Sequence, residues 1–100
     1  MIPSEGRYEI RFIPEAFREW NKLDNSIRQP LSKRLSVRVM NPVVENDRLS
    51  GQLKDCFKIK DNKSGFRVVY FLSQSEQMIT VLAVGKRADK EVYTNARLRI

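Results

Sequence analysis

The chain has 100 residues, of which 41% are hydrophobic and 31% are charged. This composition is typical of one folded domain and excludes global disorder. Nineteen lysines and arginines against 12 acidic residues give a net charge of +7, which is typical of proteins that bind nucleic acid or another phosphate-rich partner. A basic protein without such a partner is the alternative.

Cysteine and histidine usage limits the available chemistry. Cys56 is the only cysteine and histidine is absent, so an intrachain disulfide is excluded, and we predict neither a zinc site nor any cofactor. We interpret Cys56 as a small buried residue that opens a strand. No apolar run approaches the ~20 residues of a membrane helix, and residues 1–7 lack the apolar core of a signal peptide. These features predict a protein of the reducing cytoplasm.

The N-terminal part of the sequence predicts a loose tail over residues 1–7, followed by a strand and a helix. From Tyr8 to Phe12, apolar and polar side chains alternate as in a half-buried strand. Pro14 suits the first position of a helix, and an apolar stripe at helical spacing extends that helix to about Leu23.

The second predicted helix is strongly basic and contains a proline. Residues Ser26 to Gln29 resemble a capping box, and apolar residues at every fourth position extend the helix to about Met40. Pro30 would remove one backbone hydrogen bond, so we expect the helix to kink there or to begin later. Four basic side chains form either a solvated face or a contact with phosphate or RNA: Arg28, Lys33, Arg34 and Arg38.

Three further strands are predicted after a loop over residues 41–54, at about residues 56–61, 65–73 and 77–85. The last two strands contain long apolar runs, which are typical of central strands covered on both faces. Residues 89–98 are predicted to form a short helix. The expected fold class is α+β, with an N-terminal strand, a two-helix hairpin, a three-stranded antiparallel meander in one sheet and a short C-terminal helix.

Four cations and one tyrosine lie on or after these last strands. Strand alternation puts Lys58 and Lys60 on one face of their strand. Arg67 lies on the next strand, and Arg87 and Tyr93 follow the last one. Cations that converge on one sheet face can bind a phosphate group, or stabilise its transition state, without imidazole. Each of these residues could instead be an ordinary surface or packing residue.

The element order, together with three segments, resembles the RelE family of toxin endoribonucleases from type II toxin–antitoxin modules. The segments are F-K-I-K, S-G-F-R-V-V-Y and V-G-K-R-x-x-x-E-V-Y, and the resemblance covers roughly residues 8–98. It implies a single toxin domain over residues 8–100 that enters the ribosomal A site and cuts the mRNA codon there. It also implies three partners: the ribosome with its rRNA and mRNA, a RelB-like antitoxin, and operator DNA only through the antitoxin complex.

The same resemblance assigns roles to individual residues. It implies five catalytic residues, which are Lys58, Lys60, Arg67, Arg87 and Tyr93. It leads us to expect five further RNA-binding cations, which are Arg48, Lys54, Lys63, Lys86 and Lys90. Among these, Arg48 or Lys54 would compensate for Ser50, which stands where similar sequences often carry another arginine.

The expected chemistry is transesterification of RNA. It needs the 2′-OH deprotonated, the charge of the phosphorane stabilised and the 5′-oxygen protonated. A lysine crowded by cations gives up its proton more readily, so Lys60 is the first candidate for the base and Tyr93 the second. Arg67 and Lys58 would stabilise the phosphorane, and Arg87 would act on the leaving oxygen. The expected products are a 2′,3′-cyclic phosphate and a 5′-hydroxyl.

Two other functions are open at this point. ParE-like toxins share the scaffold and poison DNA gyrase without cutting RNA, and a non-catalytic partner would bind operator DNA within a toxin–antitoxin complex. The complete cationic set together with Tyr93 favours RNA cleavage over both. The resemblance further implies that the antitoxin can displace the C-terminal segment and Tyr93 with it.

Overall fold

The computed structural model describes residues 7–88 and 90–100. Seven principal elements follow one another along the chain: β1 Glu9–Phe12, α1 Pro14–Asn21, α2 Asn25–Met40, β2 Cys56–Asp61, β3 Phe66–Ser73, β4 Met78–Lys86 and α3 Glu91–Arg99. Two short 3-10 turns, Glu45–Asp47 and Gly51–Leu53, lie between α2 and β2. The predicted α+β fold class is confirmed, and the strand boundaries agree with the prediction to within one residue.

The four strands form one mixed sheet in the order β1-β4-β3-β2. Strands β2, β3 and β4 form the predicted antiparallel meander. Strand β1 pairs in parallel with β4, because the chain crosses over through α1 and α2 before it enters the meander. The two central strands are therefore β3 and β4, as their long apolar runs predicted.

Helices cover both faces of the sheet. On one face, α1 and α2 bury Ala16, Leu31 and Leu35 against a cluster that includes Ile59 and Tyr70. On the other face, α3 buries its own apolar side chains in a smaller cluster of Leu53, Cys56, Val69, Leu82, Ala83, Val92 and Ala96. The predicted short C-terminal helix is thus confirmed as the element that closes this second face.

Helix α2 differs from its prediction at its start. The prediction of a capping box that begins at Ser26 is wrong. The N-cap is Asp24, whose carboxylate accepts a hydrogen bond from the Ser26 backbone N–H at 3.1 Å. The helix does not begin after Pro30 but includes it. Fully buried Leu31 and nearly buried Leu35 anchor the helix to the sheet, and such packing stabilises helices more than any single backbone hydrogen bond does.

The predicted loose tail, residues 1–7, lies outside the described residues except for Arg7, which is exposed and has no regular structure. Within the described part of the chain, no helix is both long and apolar enough to cross a membrane.

Cys56 is fully buried, as predicted. Burial raises the pKa of its thiol to about 12, with a smaller contribution from the nearby Asp55 carboxylate. We expect alkylation of the native protein by iodoacetamide at neutral pH to be slower than that of the urea-unfolded chain by about 10³-fold, because the thiolate is the reactive form. Mass spectrometry of timed samples measures both rates, and rapid labelling of the native protein would contradict this assignment.

Asp61 predicts a pH dependence of stability. Hydrogen bonds from Ser64 Oγ at 2.6 Å and from Arg34 Nη1 at 3.1 Å hold the pKa of this buried carboxyl below its usual value, although desolvation opposes them. A lowered folded-state pKa stabilises the fold above the unfolded pKa of about 3.9, and this stabilisation is lost as the pH falls below it. Urea unfolding at pH 7 and at pH 3 gives the free energy of unfolding at each pH. The decrease in this free energy from pH 7 to pH 3 should therefore be smaller for Asp61→Asn than for the unchanged chain.

Candidate functional site

Two lysines and one arginine share the sheet face that α3 covers. The pairing of β2 with β3 places Lys60 directly opposite Arg67 and Lys58 directly opposite Val69. Directly opposite residues of an antiparallel pair have Cβ atoms about 5 Å apart, and residues two positions apart on a strand point to the same side. The structure therefore brings these three cations together on one side of the sheet.

Arg67 is the most buried of these cations, with 4% of its surface exposed. Its Nη1 donates to the Phe66 carbonyl at 3.0 Å. No carboxylate of residues 7–88 or 90–100 forms an ion pair with it. Since a guanidinium carries five N–H donors, most of its hydrogen-bonding capacity is left for an anionic ligand.

Lys60 has a partner that sequence reasoning did not identify. Its Nζ lies 3.5 Å from Oδ1 of Asp47, a residue of the 3-10 turn that is only 7% exposed. The other oxygen of Asp47 accepts from Nη2 of Arg38. The loop before β2 therefore adds a carboxylate to the cations expected around Lys60. No local pattern marks Asp47, since it is a single acidic residue in a polar loop.

Arg38 corrects one expectation. The sequence predicts that it lies, together with Arg34, on a helix face that is either solvated or binds phosphate. Its side chain is only 11% exposed, because it lies under the edge of β2, where Nη1 donates to the Lys58 carbonyl at 3.1 Å and to the Tyr70 hydroxyl at 3.0 Å. Arg34 is half exposed and pairs with Asp61.

Arg87 stands at the end of β4 beside the turn between β2 and β3. Its backbone N–H donates to the Gly65 carbonyl at 2.8 Å, and its side chain is exposed. An open groove of about 480 Å³ lies here, lined by Ser64, Gly65, Lys86, Arg87, Ala88 and Lys90. Lys63 lies in the same turn and is exposed. Three of the five predicted RNA-binding cations are therefore at this end of the sheet.

Tyr93 lies in the first turn of α3, on the same sheet face as Arg67. It is half-buried and packs against the cluster under α3. The helix comes close to the sheet at Gly85, where an added Cβ would lie 3.4 Å from Cβ of Val92. Because Gly85 is the neighbour of Arg67 on β4, the first turn of α3 lies beside the cationic face.

The other two predicted RNA-binding residues lie at the opposite end of β2. Arg48 pairs with Phe57 in an isolated bridge, and its guanidinium lies 4.7 Å from the centre of the Phe57 ring. It also forms an ion pair with Glu45 at 2.9 Å and donates to the Lys54 carbonyl at 3.2 Å. Binding of RNA by Arg48 and Lys54 stays a prediction, and these intramolecular contacts occupy Arg48 in the structure.

Comparison with known proteins identifies the family. The family described as the ParE toxin of the type II toxin–antitoxin system parDE matches residues 10–91. A RelE-like toxin protein of Escherichia coli is 43% identical over 94 residues, which cover 94% of this chain and 98% of the relative. The mRNA interferase toxin RelE of E. coli K12 is 39% identical over 93 residues, which cover 93% of this chain and 97% of the relative.

Solved structures agree with these sequence matches. A double mutant of E. coli toxin RelE in the free state has a TM-score of 0.86 and 37% identity, covering 94% of this chain and 98% of that one. The toxin chain in the intact E. coli RelBE toxin–antitoxin complex has a TM-score of 0.76 and 37% identity, covering 79% of this chain and 95% of that one. The chain therefore belongs to the RelE family of toxins from type II toxin–antitoxin systems.

Proposed function

We propose that this protein is an endoribonuclease toxin that cleaves mRNA in the ribosomal A site, in the cytoplasm and without a metal ion. The observation that carries the proposal is the cationic sheet face: Lys58, Lys60 and Arg67 lie side by side, and Arg87 and Tyr93 stand at its border. The similarity to a named mRNA interferase over almost the full chain supports the same substrate class.

Arg67 and Lys58 are suited to the charge that develops during cleavage. When the 2′-oxygen attacks the phosphorus atom, the phosphorane gains negative charge on its free oxygens. Arg67 is held in place by burial and by its hydrogen bond to the Phe66 carbonyl, so its free donors need little reorganisation to bind those oxygens. Such preorganised donors are usually the largest electrostatic contribution to catalysis.

The roles at the attacking and the leaving oxygen fall to residues at the border of the face. The Lys60–Asp47 contact is an ion pair that holds the Lys60 side chain by a carboxylate. It therefore favours Lys60 as a source of fixed positive charge beside the attacking oxygen and leaves Tyr93, the second candidate, for the role of the base. When the P–O5′ bond breaks, Arg87 stabilises the leaving oxygen by charge, since a guanidinium does not give up its proton, and water supplies the proton.

We propose an antitoxin as the protein partner of this chain. Chains of similar fold and 37% identity occur in RelBE complexes, both intact and with an antitoxin peptide. A net charge of +7 favours a partner that is acidic where it contacts the toxin, because complementary charge gives specificity and fast association. Operator DNA would then be contacted through the antitoxin.

The test is a ribosome complex with a defined mRNA and an empty A site. Purified toxin should produce a cut within the A-site codon, mapped by primer extension, with 2′,3′-cyclic phosphate and 5′-hydroxyl ends. Cleavage should also occur when free divalent ions are removed with a chelator. The chelator is added after the ribosome complex has been assembled and stabilised. Naked RNA should be cut weakly or not at all, because the ribosome supplies the orientation of the substrate. Intact mRNA, alongside an active control toxin, would refute the proposal.

The match to the ParE toxin family makes gyrase poisoning the second candidate. A gyrase poison would trap gyrase–DNA cleavage complexes in a supercoiling reaction and would leave ribosome-bound mRNA intact. The cleavage assay and the gyrase assay, run on one preparation with its antitoxin as an inhibitor control, separate the two functions.

A further inference from the structure

We propose that Asp47 is a positioning residue that holds the Lys60 ammonium at the outer edge of β2, which borders the cationic face. This inference rests on the proposed function for its catalytic consequence, but its structural basis is independent of the reaction. Asp47 does not reach the expected position of the RNA itself; it would act through Lys60.

Asp47 is held rigidly by a buried polar network. Arg38 donates to Asp47, to the Lys58 carbonyl and to the Tyr70 hydroxyl, and that hydroxyl donates to the Pro42 carbonyl at 2.6 Å. The network joins α2, the loop after it and the first two strands of the meander. One oxygen of the Asp47 carboxylate, Oδ2, accepts from Arg38. The other oxygen, Oδ1, is left to interact with a further cation.

The free oxygen points to Lys60. Oδ1 of Asp47 is buried and, among the described residues, has no hydrogen-bond partner. The Lys60 ammonium lies 3.5 Å away, which is within ion-pair range but longer than a charge-assisted hydrogen bond. Because an unsatisfied buried acceptor is unfavourable, Lys60 is drawn to this oxygen rather than left to move freely in solvent.

Repulsion across the strands acts in the same direction as this restraint. Lys60 stands directly opposite Arg67, and like charges in that position destabilise a sheet. The Lys60 side chain is 41% exposed and has a flexible four-carbon stem. The Asp47 carboxylate lies along the outer edge of β2, on the side away from β3 and Arg67, so the contact fixes the ammonium at one place on that edge. Without Asp47, the flexible Lys60 side chain would move over many positions in solvent.

A double-mutant cycle separates positioning from mere structural support. Single-turnover cleavage of A-site mRNA is measured at saturating ribosome concentration for the unchanged toxin, Asp47→Asn, Lys60→Ala and the double variant. Asp47→Asn should lower the rate about 10- to 30-fold, as expected for a displaced catalytic group, with little change in the ribosome concentration at half-saturation. In the Lys60→Ala background the same change should have less than about a threefold effect. Equal effects in both backgrounds would overturn the proposal.

Two further variants guard against effects of folding. Asp47→Asn leaves Arg38 buried without a charged partner, which can unfold the chain. The double change Arg38→Met with Asp47→Leu removes both charges of that pair while keeping an apolar volume, and it should show the same loss of rate. Asp61→Asn is the matched control, because it also breaks an ion pair between α2 and the sheet at an equally buried carboxylate. Its effect should be the same with and without Lys60.

A readout without RNA tests the restraint itself. NMR relaxation of the side-chain methylene next to the amine should show Lys60 to be more ordered than Lys58 on the picosecond–nanosecond timescale. Asp47→Asn should lower the order of Lys60 to that of Lys58 and leave Lys58 unchanged. If the unchanged toxin does not cut mRNA, the proposed function fails while this experiment still decides the restraint. If Lys60 is as mobile as Lys58 in the unchanged protein, the positioning role fails.

Discussion

Replacing Arg87 with alanine should lower the rate of A-site mRNA cleavage by roughly 10²- to 10³-fold, the range found when one preorganised charge donor is removed from an active site. Arg87 borders the open groove at the end of β4, and its side chain is exposed. Its backbone N–H donates to the Gly65 carbonyl and its own carbonyl accepts from the Lys90 N–H, and both hydrogen bonds survive the substitution. The loss should therefore appear in the rate of cleavage and leave the urea midpoint of unfolding within error.

Two companion variants sharpen this result. Arg18→Ala removes the same charge from an exposed position on α1, on the opposite side of the sheet, and should leave the cleavage rate unchanged. Arg87→Lys keeps the charge but not the planar fork of donors. Partial recovery with lysine would mean that charge on the leaving oxygen is sufficient, whereas no recovery would mean that two donors must bind together. Full activity of Arg87→Ala would remove this residue from the mechanism.

The elements of the fold were predictable because their signals are local. Runs such as Val68 to Leu72 are apolar on consecutive residues, which indicates strands covered on both faces, and the structure buries four of those five residues. The parallel pairing of β1 with β4 has no local signal, since it depends on where the crossover through two helices returns the chain. The start of α2 before Pro30 has no local signal either, because α2 is stabilised by leucines that pack on distant strands.

The site was predictable only in part, for a related reason. Alternation placed Lys58 and Lys60 on one face, and the observed register adds Arg67 beside them. Asp47 could not be predicted from the sequence, because the 12 residues between it and Lys60 include a loop, and Arg38 of α2 contacts Asp47 and Tyr70 across long sequence separations. Residues that bind a substrate share a chemical pattern along the chain, whereas residues that position them are identified by contacts alone.

Replacing Glu19 with alanine should have the largest effect on stability, about 2–4 kcal/mol lost from the free energy of unfolding. Oε1 of Glu19 accepts from the Val84 backbone N–H at 3.0 Å and from Arg99 Nη1 at 2.9 Å, and Oε2 accepts from Arg99 Nη2 at 3.0 Å. Strand β1 ends at Phe12, opposite Val81, so beyond that point no strand of the described residues pairs with this edge of β4. Glu19 takes the place of that strand at Val84.

The same residue ties α3 to the sheet. Arg99, the last residue of α3, also donates to the Leu82 carbonyl at 2.9 Å, at the irregular position where Leu82 is skipped in the pairing of β4 with β3. Removing Glu19 leaves the charge of Arg99, whose side chain is only 18% exposed, without its carboxylate partner. In the Glu19→Ala variant, the amide hydrogens of α3 should therefore exchange faster than those of α1. Glu15→Ala removes an exposed carboxylate from α1, the helix that also carries Glu19. It should lower the free energy of unfolding by less than about 0.5 kcal/mol. Equal urea midpoints for the two variants would show that the Glu19–Arg99 pair adds nothing to the stability of the fold.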